Sequence, residues 1–404
     1  MISVCFITKN EEKWLGECIS HLRPIVGEFI VLDTGSTDRT VEIAKQSGAK
    51  VFEAPWPGDF AKARNMSLQH ATGDWILKID PDERLDPRDF DRLVALTKTD
   101  KVAYQCWSRA YTNDANRIML QSFRPCTGEY PEQEKNYRGY IEYPNIRLFR
   151  RLPGVKFVGR IHETVEPTLP GWENGISPVP PALNIPFHHY GQNDAAVQEK
   201  GKDTMYSKLL REELDSNPEN WYVLFEVANE LFNAQKWDEA IAYFERANAA
   251  HPRKPQILSN WGYAKVLQGK CAEGEAILKD CLKLDPTYHD AWLNLGASRM
   301  TQNDYAAALF AFDHCLKILP NSYMAFRAKG QCLAQIGKTK DAVVAFERAL
   351  EILPFFNEAK VDLAILLSHL GQSTKAKEMA YSVLQDEPQN PRARALFDQA
   401  HAWN

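Results

Sequence analysis

The chain has 404 residues, 44% apolar and 25% charged, with a net charge of −5. That is material for two or three domains with real cores, and it offers no basic face to mark nucleic acid as the main partner. No run approaches the roughly 18 consecutive apolar residues of a spanning helix. The apolar N-terminus lacks a preceding basic segment and reads as a first strand, so a cytoplasmic protein is expected. The eight cysteines are scattered without a C-x-x-C pair and read as reduced core residues rather than disulfide or zinc ligands.

In chain order, residues 2–8 form a short apolar strand that Lys9-Asn10-Glu11-Glu12 breaks. Trp14, Leu15, Cys18, Ile19 and Leu22 then follow at helical spacing. A second buried strand, Phe29-Ile30-Val31-Leu32, ends in Asp33-Thr34-Gly35-Ser36-Thr37-Asp38, and a helix follows in which Asp38 reads as the cap. Val51-Phe52 is a third strand, 60–70 a helix and 75–79 a fourth strand. This alternation predicts a parallel α/β sheet with helices on both faces and a ligand at the carboxyl ends of its strands. Asn10, Asp33 and Asp80 all fall at such ends.

The fourth strand runs into Asp80-Pro81-Asp82-Glu83. Pro81 cannot continue a ladder, and two acids one residue apart repel unless a cation lies between them. A divalent ion carrying a diphosphate suits oxygen ligands; the plainer alternative is that one acid caps the next helix. Neither GxGxxG nor GxxxxGK[ST] occurs, so dinucleotide and P-loop sites are excluded.

Residues 111–143 hold Tyr111, Tyr130, Tyr137, Tyr140 and Tyr143 among polar residues and read as a long acceptor-facing or lid-like loop. Strand character resumes at 145–150 and again at 155–161, where a strand is predicted to end in His162-Glu163-Thr164. Pro186-Phe187-His188-His189-Tyr190-Gly191 is the last informative motif before a helical linker at 194–220. Adjacent residues on an extended segment point opposite ways, so either His188 or His189 faces the site.

From 221 the sequence repeats. Pro218, Pro252, Pro286, Pro320, Pro354 and Pro388 recur every 34 residues, as do Gly262, Gly296 and Gly330, and Phe244 returns as Phe312 and Phe346. The pattern resembles tetratricopeptide repeats: five helix pairs, 221–252 through 357–388, then a capping helix to residue 404. The concave positions include Tyr222, Phe225, Asn229, Gln256, Tyr263, Leu293, Met300, Met324, Arg327 and Gln331. This mixed apolar and polar surface suits an extended peptide or a second copy of the chain.

Thr8-Lys9-Asn10-Glu11-Glu12, Leu32-Asp33-Thr34-Gly35-Ser36-Thr37-Asp38, Ala63-Arg64-Asn65 and Asp80-Pro81-Asp82-Glu83 together resemble family 2 glycosyltransferases with the A-type nucleotide-sugar fold. The likeness is strong over 1–110 and weaker over 144–192, giving a catalytic domain at 1–193 and repeats at 221–404. It implies that Asp33 accepts a hydrogen bond from a uracil-type base, while Asn10, Glu11 and Arg64 line the nucleotide pocket. Asp80 would contact the ribose and metal-bound waters, with Asp82 ligating Mn²⁺ or Mg²⁺. The same resemblance implies Glu163 as general base of an inverting transfer and His189, with His188 as alternative, as a further metal ligand. A nitrogen ligand favours Mn²⁺.

The expected function is a metal-dependent inverting glycosyltransferase using a UDP-sugar, of hexosyl or N-acetylhexosaminyl type. Resemblance to peptide S- and O-glycosyltransferases of this architecture implies a peptide or protein acceptor, with the repeats serving acceptor binding or homodimerisation. One alternative is a lipid-linked or polysaccharide acceptor at the inner membrane face. The other, of a different class, is a repeat scaffold whose nucleotide-sugar domain is inert.

Overall fold

The computed structural model describes residues 1–113, 123–173, 177–190 and 202–399. It divides into two compact units, Met1–Glu213 and Leu214–Asn404. The 194–220 stretch expected as a linker is split between them, and its first residues, with the predicted 193/194 boundary, lie outside the described residues.

The first unit is built on one sheet. Strands β1 (Ile2–Thr8), β2 (Glu28–Asp33), β3 (Lys50–Glu53) and β4 (Trp75–Leu77) pair in parallel in the order β3-β2-β1-β4. Helices α1 (Leu15–Leu22), α2 (Thr40–Gln46) and α3 (Phe60–Leu68) connect them, and α4 (Phe90–Leu96) follows. Side-chain alternation explains why both faces are covered. Val4, Phe6, Phe29, Val31, Trp75 and Leu77 pack with α1 on one side. Cys5, Ile30 and Ile76 join Ala61, Phe149 and Phe157 on the other.

The rest of the sheet departs from the all-parallel expectation. β4 pairs antiparallel with β8 (Gly139–Arg150), β8 with β6 (Ala103–Thr112), and β6 lies parallel to β9 (Leu183–His189). β9 in turn pairs antiparallel with β5 (Glu83–Leu85). The loop expected over 111–143 is therefore in part sheet: β6 runs to Thr112, β7 (Phe123–Pro125) pairs with β8, and a single turn, α5 (Pro131–Glu134), precedes Gly139, where β8 begins. Residues 114–122 lie outside the described part. The tyrosines explain the difference, since Tyr111, Tyr130 and Tyr140 are buried and pack inward rather than line an open loop. The eight cysteines are free; six are buried, and Cys126 and Cys271 are half-buried rather than in the core as expected. Among the described residues no helix is long and apolar enough to cross a membrane.

Helix α6 (Lys202–Ser216) ends the first unit's course. The second unit is an all-α array of five helix pairs, as the period predicts. These are α7 (Trp221–Asn233) with α8 (Trp237–Ala250), α9 (Pro255–Leu267) with α10 (Cys271–Leu284), and α11 (His289–Thr301) with α12 (Tyr305–Ile318). They continue through α13 (Tyr323–Gln335) with α14 (Thr339–Ile352) and α15 (Asn357–His369) with α16 (Ser373–Asp386) to a final helix, α17 (Pro391–Gln399). The expected cap beyond Gln399 lies outside the described residues. The repeating glycines are there for close approach. A Cβ on Gly296 would lie 2.4 Å from the Phe312 ring, and one on Gly330 would lie 2.8 Å from that of Phe346.

Candidate active site

The parallel register sets Thr8 beside Asp33, so the loops leaving β1 and β2 emerge together. Polar side chains join them. Asn10 adopts a left-handed φ of 56°, a conformation asparagine tolerates better than most residues. Its Oδ1 accepts from Thr37 N–H at 2.8 Å, while its own N–H donates to Ser36 Oγ at 2.8 Å. Glu11 N–H donates to Thr40 Oγ1 at 2.7 Å. Asp38 accepts from the N–H groups of Thr40 and Glu12 and so ties the two loops together, while the N-cap of α2 is Arg39 rather than Asp38. Asp33 is buried, and its carboxylate accepts from Gly35 N–H, Ser36 N–H, Ser36 Oγ and Thr8 Oγ1. These account for about four acceptor positions, so a base N–H reaching Asp33 has to displace one of them.

The loop after β4 is fixed by a buried ion pair. Arg147 on β8 meets Glu83 through both guanidinium arms, at 2.7 and 2.5 Å, with both side chains 2% exposed. Glu83 Oε2 accepts Asp80 N–H at 2.9 Å, Glu83 N–H returns to Asp80 O at 3.0 Å, and Arg84 donates to Pro81 O at 2.8 Å. This leaves the two aspartates unlike: the Asp80 side chain is 37% exposed and that of Asp82 5%.

The pairing of β5 with β9 sets Glu83 opposite His189 and Arg84 opposite His188. His189 Nε2 lies 3.4 Å from Asp82 Oδ1, and its Nδ1 is buried without a hydrogen-bond partner. Burial opposes the imidazolium, but Asp82 outweighs it and the His189 pKa is raised. His188 points the other way and lies 2.8 Å from the Tyr111 hydroxyl. Burial, helped by Arg109, pushes its pKa down to about 3. An oxygen and an imidazole nitrogen this close, with one ring nitrogen unclaimed, fit two ligands of a borderline divalent cation. Among the described residues no group of three His, Cys, Asp or Glu could hold an ion alone, so further ligands would come from a bound diphosphate or water.

Arg64 joins the two carboxylates that sequence placed far apart. Its Nη2 lies 2.6 Å from Asp80 Oδ1 and its Nε 3.1 Å from Glu163 Oε1. The guanidinium is buried, and Nη1 has no hydrogen-bond partner. The neighbouring Asn65 grips Phe157 through two hydrogen bonds of 2.8 Å. Glu163 is not delivered by a strand end, as expected, but by a turn. Residues 155–161 form no strand, and a lone bridge between Val158 and Thr164 closes the turn. Gly159 (φ 93°) and His162 (φ 54°) bend the chain there, which an extended segment cannot do.

Burial pushes the Glu163 carboxyl up, but Lys78 and Arg64 outweigh it and hold its pKa below the ordinary value. The Asp80 carboxyl is also held down, chiefly by Arg64 against burial. Both are therefore ionised at neutral pH. His162 is shifted down by burial, and its ring lies 5.9 Å from that of Tyr206 on α6.

The site thus unites Arg64, Asp80 and Glu163, with Asp82 and His189 adjoining in the same loop and strand pair. Asn10, Glu11 and Asp33 sit on the neighbouring loops. Lys78, Arg147 and Tyr206 were not anticipated, and Glu83, expected only as part of the acidic motif, proves to fix its loop. For Lys78 and Arg147 a signal existed, since each is a charge inside a run of buried apolar residues. Tyr206 sits in an ordinary amphipathic helix and carried no signal.

Residues 3–153 match the family described as Glycosyl transferase family 2, and residues 207–255 and 259–316 match a tetratricopeptide repeat family. A TPR repeat-containing protein of Synechococcus elongatus is 29% identical over 252 residues, 58% of this chain and 55% of that protein. The prophage-derived glycosyltransferase SunS of Bacillus subtilis is 28% identical over 248 residues, 61% of this chain and 53% of SunS. The chain spans about half the length of these curated relatives. Among solved structures, a TPR protein of Thermus thermophilus aligns at 18% identity and a TM-score of 0.41, covering 45% of this chain and 99% of its own.

Proposed function

We propose that this chain, in which a family 2 glycosyltransferase domain is followed by a tetratricopeptide array, transfers a sugar from a UDP-sugar to a peptide or protein acceptor with inversion at the anomeric carbon. The observation that carries the reading is Arg64, which holds Asp80 of the acidic loop and Glu163 of the distant turn on one guanidinium. An acid for the donor side and a base for the acceptor side are thereby held within one side chain of each other. The similarity to the glycosyltransferase SunS supports glycosyl transfer, and the tetratricopeptide array supports a protein partner.

In this mechanism the acceptor's nucleophilic atom attacks the anomeric carbon, the bond from that carbon to the diphosphate oxygen breaks, and UDP leaves with the electron pair. The acceptor's proton passes to the Glu163 carboxylate, which its cationic neighbours keep ionised. Arg64 orients Asp80 toward the donor ribose. A bound Mn²⁺ or Mg²⁺, held by Asp82 and His189, would neutralise charge on the departing diphosphate.

A donor-hydrolysis screen across UDP- and GDP-sugars tests the reading. Nucleotide release is expected from a UDP-sugar, dependent on divalent cation. Release only from a GDP-sugar, or release unaffected by chelator, would defeat the donor and metal assignments. No turnover of any donor would favour the inert scaffold.

A further inference from the structure

Lys78 is the least expected charge in the first unit. It lies between Leu77 and Ile79, both fully buried, and its own side chain is 9% exposed. Burying an ammonium ion is costly unless the surroundings repay it with opposite charge and hydrogen bonds. Its N–H donates to Arg147 O at 2.7 Å, so the backbone is anchored to β8. Its Nζ lies 3.3 Å from Glu163 Oε1 and 3.2 Å from the Glu163 main-chain oxygen. Arg64 Nε reaches the same Oε1 at 3.1 Å. Both cations sit near the face of the buried Phe157 ring, at 5.7 and 6.0 Å from its centroid.

Two features separate this from a phosphate-binding lysine. The ammonium is enclosed rather than open to a ligand, and it grips the main chain of its partner as well as the side chain. A turn residue with a left-handed neighbour, as His162 is, needs such a hold if its carboxylate is to keep one direction.

The geometry points to Lys78 as a positioning residue: it ties Oε1 and the main-chain oxygen of Glu163 to the segment after β4 that carries Asp80, aiming Oε2 at the acceptor. The inference rests on Glu163 acting as base. One short segment then sets both sides of the reaction, because Lys78 and Asp80 are two residues apart.

The experiment compares Lys78→Met, Lys78→Arg, Glu163→Gln and the Lys78→Met/Glu163→Gln double variant in the full chain. UDP release is measured from UDP-glucose and UDP-N-acetylglucosamine with Mn²⁺, and UDP affinity by calorimetry. Lys78→Met is expected to lower kcat by about 10–100-fold while UDP affinity stays within about twofold, and Lys78→Arg to recover most of the loss. In the Glu163→Gln background Lys78→Met should add less than about twofold, because the residue it serves is already disabled. Lys78→Gln replaces the methionine variant should that fail to fold. UDP binding weakened about tenfold or more would overturn the inference by making Lys78 a donor contact, as would full additivity of the two losses. Impairment by Glu163→Gln with Lys78→Met at full rate defeats this inference alone. Full activity of Glu163→Gln defeats the base assignment and the inference with it.

Discussion

Asp80 and Asp82 are separated by one residue and differ in everything that decides their chemistry. Asp80 is partly open and paired with Arg64, whereas Asp82 is buried beside His189. Asp82→Asn should therefore weaken Mn²⁺-dependent UDP binding by about 100-fold or more, and Asp80→Asn should weaken UDP binding by about tenfold with Mn²⁺ affinity nearly unchanged. Calorimetry with each ligand separates these outcomes, and equal loss of metal affinity from both would refute the division of labour. Away from the site, Glu28 is buried at the start of β2 and receives Lys50, Ser3 and Thr72. Burial raises its pKa, but these partners win and bring it from 4.5 to about 2. A carboxyl depressed in the folded state stabilises fully above its unfolded pKa and loses that contribution as pH falls through the folded one. Between about pH 4.5 and 2 the first unit should lose about 3 kcal/mol. Urea unfolding across that range should show a shallower slope in Glu28→Gln, and an unchanged slope would contradict the assignment.

At the scale of elements, β5 is a three-residue strand that exists because Arg147 and His189 bracket it from β8 and β9. Arg147→Met leaves the Glu83 carboxylate buried and unpaired and should cost about 3–5 kcal/mol. Arg147→Met combined with Glu83→Leu should regain much of that stability. UDP binding should nonetheless stay impaired, since Asp80 N–H loses its acceptor. Denaturation and calorimetry on the same samples check both halves, and full recovery of binding would show that the pair does not shape the loop. This part of the fold was the least legible in sequence. The parallel strands announced themselves by apolar runs ending in polar loops, each a local signal. β6, β7 and the start of β8 were hidden because their tyrosines, charges and glycines resemble loop composition, and their burial depends on partners far along the chain. The Glu163 turn was missed because Gly159 and His162 reverse a run whose residues favour extension. The residue types of the site were legible, but Arg64 spanning two carboxylates, and Lys78 and Arg147 finding theirs, are long-range pairings that no local pattern contains.

At the scale of the molecule the repeat array was readable almost completely, because a 34-residue period is written along the sequence and each unit packs on its neighbours. Its glycines give a test. Gly296→Ala places a methyl 2.4 Å from the fully buried Phe312 ring, and such overpacking costs about 1–3 kcal/mol. Urea unfolding should show that loss in the array while UDP affinity, set by the first unit, is unchanged. A stability change below about 0.5 kcal/mol would mean that the ring moves aside easily. If the first unit is a working donor site rather than a relic carried by a repeat scaffold, calorimetric titration of the full chain with UDP in the presence and absence of Mn²⁺ will register it. Saturable binding that requires Mn²⁺ and disappears in Asp82→Asn is the predicted result. Absence of binding by UDP, with or without the ion, would contradict the account.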